Sequence, residues 1–112
     1  MIKLTVCLKR KNGLSRAEFV KHWREVHAQL LLSVREFTRH VRRYSQCEIA
    51  MVPGLPPNEY DGVVELSFDS VEAMSAALAE PRYHEIIRPD EEKFVDHAST
   101  MLLVTTEFVL LP

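Results

Sequence analysis

Glycine is scarce in this sequence: Gly13, Gly54 and Gly62 are the only three among 112 residues. They lie far apart, so none of them belongs to the glycine-rich loop that cradles nucleotide phosphates at a helix N-terminus. The sequence therefore lacks the common binding motifs for NAD and ATP. We expect the protein to work without a cofactor.

Cysteine is also rare, and neither cysteine nor histidine follows the spacing of a metal site. Cys7 and Cys47 match neither a zinc pattern nor a disulfide framework. His22 and His27 lie on the same expected helix, but an α-helical wheel separates them by about 140°. They would not bind one metal ion from one face, so we predict no metal site.

Long hydrophobic runs and an excess of basic charge are absent as well. No apolar stretch approaches the roughly 18 residues that a membrane-spanning helix needs. The apolar run at residues 1–8 is too short for a secretory signal, and two free thiols suit a reducing compartment, so we expect a cytoplasmic protein. The net charge of −2 gives no electrostatic reason to bind nucleic acid. We expect neither nucleic acid nor a membrane as a partner.

What the sequence does contain is a globular composition, with 46% hydrophobic and 27% charged residues. The length is typical of one domain. No internal repeat or low-complexity segment divides the chain. We therefore expect residues 1–112 to form a single domain.

Hydrophobic periodicity predicts four strands and at least three helices. The strands are expected at residues 2–9, 40–49, 61–68 and 100–110. A capping-box pattern at Ser15 and Glu18 opens the first helix, which runs through at least Leu32. The later helices are expected at residues 71–79 and 83–95, the last interrupted by Pro89. This order predicts an α+β fold, the ferredoxin-like split βαβ with a four-stranded antiparallel sheet.

The residues Asp90, Glu91 and Glu92 follow Pro89 directly. Acidic side chains are favourable in the first turn of a helix, where the dipole is positive. We interpret this run as the start of a helix turn.

The first helix carries a broad apolar stripe at 100° per residue. Its members are Phe19, Trp23, Val26, His27, Leu30, Leu31 and Val34. We expect this stripe to pack on the sheet, which leaves the other face of the sheet uncovered. The residues expected to give that face apolar area include Cys7, Val41, Cys47 and Val63. Such a face in water favours a partner, so we predict a homodimer in which two sheets pack as a dimeric α+β barrel.

Residues spread along the chain match a known family. The segment from Lys9 to His27 reads K-R-x-x-G-L-S-x-x-E-F-x-x-x-W-x-x-x-H. The other matching segments are Arg42-Arg43-Tyr44, Tyr60-Asp61-Gly62, Glu65, Phe68-Asp69-Ser70 and residues 90–96. With these residues in this order, the chain resembles EthD-domain proteins over nearly its whole length.

The resemblance implies a dimeric α+β barrel, which agrees with the fold expected above. It implies less about activity. EthD relatives in fungal polyketide pathways act as decarboxylases or dehydratases. The wider superfamily includes isomerases, polyketide cyclases, cofactor-free monooxygenases and haem-degrading enzymes. The fold therefore does not select the reaction.

Three residues are candidates for catalysis. His27 lies on the buried stripe, where an imidazole that titrates near neutral pH suits general acid or base work. Tyr44 shares the helix-facing side of the second strand and would stabilise an oxyanion, as the strand tyrosine does beside a helix histidine in related barrels. Asp61, at the start of the third strand, would hold the tautomer of His27. The structural alternatives are a hydrogen-bonded core histidine, a tyrosine that fills the sheet surface, and an aspartate that shapes the turn before Gly62.

Trp23, Phe19 and Arg42 are candidates for substrate binding. Trp23 and Phe19 would form apolar walls of a pocket, although such aromatic residues are more often part of the core. Arg42 would attract a substrate carboxylate at the pocket mouth, although an arginine in a basic cluster also suits a surface ion pair.

Three functions stay open on this basis. The first is a cofactor-independent enzyme of small-molecule catabolism or secondary metabolism. It would move a proton during decarboxylation, dehydration or isomerisation of a hydrophobic carbonyl or carboxylate compound. The second is a non-catalytic accessory protein that binds a ligand for an oxygenase-based ether or aromatic degradation pathway. The third is a barrel-type monooxygenase. All three place a hydrophobic small molecule in the pocket.

Overall fold

The four expected strands form one antiparallel sheet. In the computed structural model, which describes all 112 residues, they are β1 (Ile2–Leu8), β2 (Arg43–Glu48), β3 (Gly62–Phe68) and β4 (Met101–Thr106). Their order across the sheet is β2-β3-β1-β4, and every neighbouring pair is antiparallel. Helices connect β1 to β2 and β3 to β4. The expected ferredoxin-like α+β fold is confirmed.

The strand register gives the sheet one face toward the helices and one face away from them. Leu4 of β1 lies between Leu66 of β3 and Val104 of β4, and all three carry their side chains on the same face. Because side chains alternate along a strand, the even-numbered residues of all four strands share the helix-facing side. The odd-numbered residues share the outer face.

The first helix, α1, covers residues 16–33 and contains a π-helical segment. It begins with the expected capping box. The Ser15 hydroxyl accepts from the Glu18 backbone N–H at 3.1 Å, and the Glu18 carboxylate accepts from the Ser15 N–H at 2.9 Å. Its three parts are α-helical Arg16–Lys21, π-helical His22–His27 and α-helical Ala28–Ser33.

The π-helical segment changes which residues of α1 face the sheet. Phe19, Trp23, His27 and Leu31 are buried, each four residues after the one before. That spacing is wider than the 3.6 residues of an α-helical turn, because π-helical hydrogen bonds span five residues. The prediction that Val26 belongs to the buried stripe is wrong, since Val26 is 49% exposed.

A short helix, α2 (Arg35–Thr38), lies between α1 and the second strand. It is followed by a turn in which the Val41 N–H donates to the Thr38 carbonyl at 2.9 Å. The strand therefore begins at Arg43 rather than at residue 40. Val41 packs against the core. The prediction that it lies on the uncovered face of the sheet is wrong.

Two further helices connect β3 to β4. α3 spans Val71–Ala79, and the Ser70 hydroxyl caps it by accepting from the Ala73 N–H at 3.1 Å. α4 spans residues 83–94 and consists of π-helical Tyr83–Ile87 followed by α-helical Arg88–Phe94. Pro89 lies where the helix changes type and does not end it. None of the helices combines the length and the apolar character needed to span a bilayer.

Two buried clusters fill the space between the helices and the sheet. The larger cluster contains Leu4, Leu31, Val34, Phe37, Leu66, Phe68, Ala77, Tyr83 and Ile87, and the smaller contains Leu8, Phe19, Trp23, Phe94 and Val95. Trp23 packs directly on the backbone of Gly62 at the start of β3, where a Cβ atom would lie only 2.5 Å from the indole ring. The absence of a side chain at residue 62 therefore allows α1 to approach the sheet.

The outer face of the sheet mixes apolar and charged residues. Val63 of β3 lies between Cys7 of β1 and Cys47 of β2. Lys3 forms ion pairs with Glu65 and Glu107 across the strands. No helix of the chain covers this face.

The edge strand β4 exposes apolar side chains on both of its faces. Leu102 and Val104 are exposed on the helix-facing side, and Met101 and Leu103 are exposed on the outer side. The strand ends at Thr106, earlier than the expected 110, and the exposed apolar residues 108–111 follow it. Much of the exposed apolar surface of the protein therefore lies along this edge.

The close approach of Trp23 to Gly62 yields a stability prediction. Gly62→Ala forces a methyl group into space that the indole occupies, so we expect it to lower the free energy of unfolding by about 1–3 kcal/mol, as overpacking does in other cores. Trp23→Phe should reduce the penalty of Gly62→Ala, because the smaller ring vacates that space. Urea denaturation of the two single variants and the double variant measures both effects. Equal costs of Gly62→Ala in both backgrounds would contradict this account.

Candidate functional site

A cavity of about 300 Å³ lies between the sheet and the helices α1 and α4. Its volume is at the lower end of the range of small-molecule sites. Fourteen of its 20 lining residues are hydrophobic, so a ligand inside it would contact mostly carbon. The other six lining residues are His27, His84, Arg88, Glu91, His97 and Thr100.

The most buried polar contact beside the cavity joins His27 of α1 to Asp90 of α4. The two residues are 5% and 4% exposed, and His27 Nδ1 lies 2.7 Å from Asp90 Oδ2. An ionised carboxylate only accepts hydrogen bonds, so Nδ1 carries the proton and Nε2 keeps its lone pair. His27 Nε2 forms no hydrogen bond within the protein. Its lone pair is free for a ligand in the cavity.

Asp90 also accepts a hydrogen bond from His22, whose Nε2 lies 3.0 Å from Oδ1 and 3.1 Å from Oδ2. The prediction that His22 and His27 point about 140° apart is wrong, because it assumed an α-helix. In the π-helical segment, residues five apart are linked by the backbone hydrogen bonds and lie on one side. Phe94 packs against both imidazoles, with ring centroids 4.8 and 5.0 Å away.

Burial sets the charge state of His27. It lowers the pKa of the imidazole below its ordinary value of 6.5, and the hydrogen bond to Asp90 offsets part of this shift. The neutral imidazole is therefore the main form at pH 7. That form accepts a proton, as a general base must.

Tyr44 of β2 lies in the wall of the same cavity, on the helix-facing side of the sheet. Its oxygen accepts a hydrogen bond from Gln46 Nε2 at 3.0 Å, and the same amide group donates to the Trp23 carbonyl at 2.8 Å. The O–H of Tyr44 therefore remains available as a donor. Burial raises the pKa of Tyr44 above its ordinary value of 10, so the hydroxyl stays protonated at neutral pH.

A second acid, the half-buried Glu91 of α4, also lines the cavity. The Tyr83 O–H donates to its two oxygens at 3.1 and 3.3 Å. No Lys, Arg or His nitrogen lies within 4.0 Å of the carboxylate. Burial therefore raises the pKa of Glu91 from its ordinary value of 4.5 to about 7, with the hydrogen bond from Tyr83 opposing the rise.

Sequence reasoning missed Asp90, Glu91 and Tyr83 as residues of this site. The acidic run 90–92 was interpreted only as the start of a helix turn. A signal was present, however, because Tyr83, Ile87, Asp90, Glu91 and Phe94 follow the i, i+4, i+7, i+8, i+11 spacing of a buried helix face. Carboxylates on such a face need hydrogen-bond donors inside the protein, which is itself an indication of a polar site.

Asp61 does not contact His27. The backbone N–H of Arg10 donates to Asp61 Oδ2 at 2.8 Å, and the Arg10 guanidinium pairs with Oδ1. The Asp61 N–H donates to the Leu8 carbonyl at 2.8 Å. Asp61 thus links the end of β1 to the start of β3. The prediction that it orients His27 is wrong, because Asp90 occupies Nδ1.

The three candidate substrate-binding residues lie in different places. Trp23 is buried and lines the cavity. Phe19 is fully buried in the smaller core cluster and does not line the cavity. Arg42 lies outside the cavity and forms an exposed ion pair with Asp69. The structure thus brings His27, Tyr44 and Trp23 together and leaves Phe19, Arg42 and Asp61 elsewhere.

The site offers hydrogen-bonding and proton-transfer groups rather than a ligand set for a metal. No group of three or more His, Cys, Asp and Glu side chains is arranged to hold a metal ion. Within the cavity, a neutral imidazole can take a proton and a phenol can donate a hydrogen bond. These are the two functions that an enolate-forming step needs.

Comparison with protein families gives one match. The EthD domain model matches residues 11–98. That segment includes α1 and α4 and all of the non-hydrophobic residues that line the cavity except Thr100. No curated protein sequence matches the chain.

Solved structures share the fold at low sequence identity. An EthD family protein from Bacillus halodurans C-125 superposes with a TM-score of 0.74 and 18% identity, over 96% of this chain and 99% of that chain. A dimeric protein of ferredoxin-like fold from Bacteroides fragilis gives 0.68 and 12%, over 93% of both chains. A mutant of SnoaB, a cofactor-independent oxygenase from Streptomyces nogalater, gives 0.65 and 13%, over 99% and 96%.

The position of Glu91 predicts how stability depends on pH. The folded protein binds the proton of Glu91 more tightly than the unfolded chain does. The contribution of Glu91 to the free energy of unfolding therefore falls as the pH rises from 4.5 to about 7. Glu91→Gln removes this cost. Relative to the wild type, we expect the variant to gain about 2–3 kcal/mol between pH 4.5 and pH 8, at about 1.36 kcal/mol per pKa unit.

Denaturant titration of both proteins at the two pH values measures this difference. Glu92→Gln is the matched control, because Glu92 is exposed and pairs only with Arg88. A difference between Glu91→Gln and wild type that does not change with pH would contradict the raised pKa of Glu91.

Proposed function

The chain belongs to the EthD domain family, and from that premise we propose that it is a cofactor-independent enzyme that moves a proton on a hydrophobic compound bearing a carbonyl or carboxylate group. The reaction class covers decarboxylation, dehydration and isomerisation. All three pass through an enolate-like species.

One observation carries this proposal. His27 Nδ1 is fixed by Asp90 at 2.7 Å, and Nε2 is left without a partner in a cavity walled mostly by carbon. A core histidine that served packing alone would have both nitrogens either bonded within the protein or exposed to water. The arrangement instead matches the orientation of a general base by a buried carboxylate.

The proposed step uses His27 and Tyr44. Nε2 of His27 takes a proton from the carbon next to the substrate carbonyl, and the charge moves onto the carbonyl oxygen. Tyr44 donates a hydrogen bond to that oxygen, because Gln46 already occupies its acceptor side. Asp90 stabilises the imidazolium that forms. Trp23 and the aliphatic residues of β1 exclude water, which strengthens each of these interactions.

We further propose that two copies of the chain form a homodimer in the cytoplasm, with their sheets face to face. The uncovered sheet face and the exposed apolar residues of β4 support this assembly, because surface of this kind in a soluble protein marks an interface. The similar protein from Bacteroides fragilis is described as dimeric. Two unpaired cysteines on strands suit a reducing compartment.

The role of His27 is testable with a simple carbon acid. We expect the wild type to accelerate the exchange of the α-protons of 2-tetralone in D₂O, followed by proton NMR. His27→Gln should lower that rate by about 10²–10⁴, the usual contribution of a positioned base. His40→Gln is the matched control, since His40 pairs with Glu80 outside the cavity.

If the α-protons of 2-tetralone exchange no faster with the wild type than in buffer, the enzyme proposal is contradicted. Saturable binding of 2-tetralone without exchange would then favour the non-catalytic ligand-binding protein. Thermal unfolding of each variant separates a lost proton-transfer group from a damaged fold.

The homodimer is tested by sedimentation equilibrium at micromolar concentration. We expect twice the protomer mass of 12.9 kDa. Val63→Glu places a charge between Cys7 and Cys47 on the outer sheet face and should give monomers, because an unpaired charge at an interface is costly. Gln29→Glu adds the same charge on the exposed side of α1 and should leave the dimer intact. A monomeric wild type would rule out the face-to-face assembly.

A further inference from the structure

Glu91 is the one carboxyl group that lines the cavity, and the step described above does not use it. It lies directly after Asp90 in α4, so the residue that fixes His27 and the residue that faces the cavity are neighbours in the chain. The side chain is fixed by the Tyr83 O–H, which donates to both carboxyl oxygens. A half-buried carboxylate with a single hydrogen-bond donor and no ion pair is poorly compensated for the water that it has lost. The neutral carboxylic acid is the form that such surroundings favour.

Glu91 and Tyr44 line the same cavity from different elements. A charged Glu91 adds to the rise in the pKa of Tyr44, after the larger effect of burial. Tyr44 and Glu91 thus approach the same space from the sheet and from α4. His27 lines that space from α1.

We propose that Glu91 is a second proton-transfer group of this site and acts as the general acid toward the substrate oxygen while His27 acts as the base toward carbon. This inference rests on the proposed function and specifies it further. The substrate is a ketone, ester or lactone with a proton on the carbon next to the carbonyl. The intermediate is a neutral enol rather than an enolate.

The step balances without a further reactant. The C–H electron pair forms the carbon–carbon double bond as His27 Nε2 takes the proton. The π pair of the carbonyl forms a new O–H bond with the proton of Glu91. In the second half, the imidazolium returns a proton to carbon and Glu91 takes back the proton of the enol. If the imidazolium first exchanges its proton for a deuteron from D₂O, return to the same carbon gives isotope exchange. Return to a conjugated carbon moves the double bond.

A carboxylic acid suits this task better than the phenol. Burial keeps the pKa of Tyr44 above 10, so Tyr44 donates a hydrogen bond but rarely releases its proton. Glu91, with a pKa of about 7, can both give and recover a proton near neutral pH. The two groups can therefore act on one oxygen, Tyr44 by hydrogen bonding and Glu91 by proton transfer.

The pH dependence follows from the groups that face Glu91. From α4 these are Tyr83, His84, Arg88, Asp90 and Glu92, from α1 His27, from β2 Tyr44, and from the turn after α4 His97. Arg88 opposes the rise in the pKa of Glu91, and Asp90 and Glu92 add to it. The base is active above the lowered pKa of His27, and the acid is active below about 7. The rate should therefore follow a bell-shaped curve with its alkaline limb near pH 7.

The test measures exchange of the α-protons of 2-tetralone against pH in wild type, Glu91→Gln, Tyr83→Phe and Glu92→Gln. We expect Glu91→Gln to lose about 10²-fold in rate and to lose the alkaline limb, because glutamine cannot transfer a proton. Tyr83→Phe should leave Glu91 able to act as the acid and should move the alkaline limb to higher pH, since it removes the hydrogen bond that favours the Glu91 carboxylate. Glu92→Gln should keep the wild-type maximal rate and the bell-shaped curve, with the alkaline limb moved slightly to lower pH, because the Glu92 charge adds to the rise in the pKa of Glu91.

A second readout does not depend on turnover. In protein labelled with ¹³C at the glutamate carboxyl groups, one resonance that is absent from Glu91→Gln should titrate near pH 7. A resonance of Glu91 that titrates near its ordinary value would overturn the inference. So would a Glu91→Gln variant that keeps both the rate and the alkaline limb while His27→Gln is impaired, and the proposed function would then still stand. Exchange by the wild type at the buffer rate would overturn both.

Discussion

The carboxylate of Asp90 is the constraint on which the rest of the site depends. It is almost completely buried, and it accepts hydrogen bonds from both His22 and His27. A buried carboxylate without donors would be strongly destabilising, so the two helices that supply the donors and the acceptor must stay together. α1 meets this requirement through its π-helical segment, which turns residues five apart toward one side. The same contact fixes the tautomer of His27 and points its free nitrogen toward the cavity.

The cavity is lined mostly by hydrophobic residues and by a few polar groups. Burial favours the neutral form of three of these groups. It lowers the pKa of His27 and raises the pKa values of Tyr44 and Glu91, so each shifts toward its neutral form. An interior that favours neutral donors and acceptors is suited to uncharged, hydrophobic molecules. It also places an imidazole with a lowered pKa and a carboxyl group with a raised pKa in one cavity, where the neutral base and the neutral acid can act on one ligand.

Because side chains alternate along each strand, the same sheet forms part of the cavity on one face and the proposed dimer interface on the other. The even-numbered residues Leu4, Val6 and Leu8 wall the cavity, while Cys7 points to the outer face. A shift of the register by one residue would exchange the two surfaces, so the cavity and the proposed interface depend on the same pairing. Gly62 contributes to the cavity side of this arrangement, because its missing side chain lets Trp23 pack directly against β3.

The sequence by itself determined the fold class, the strand order along the chain, the capping box at Ser15, and the burial of Trp23 and His27. These features follow from hydrophobic periodicity and local hydrogen bonding, which depend on residues close together in the sequence. Only the tertiary structure decided the partner of His27. Asp61 and Asp90 are both aspartates that could bind an imidazole. In the structure Arg10 binds Asp61, and the π-helical segment of α1 brings His27 to Asp90. The exposure of Val26 has the same origin. A single inserted residue in a helical turn rotates the faces of a helix, and nothing in the spacing of apolar residues marks where that insertion falls.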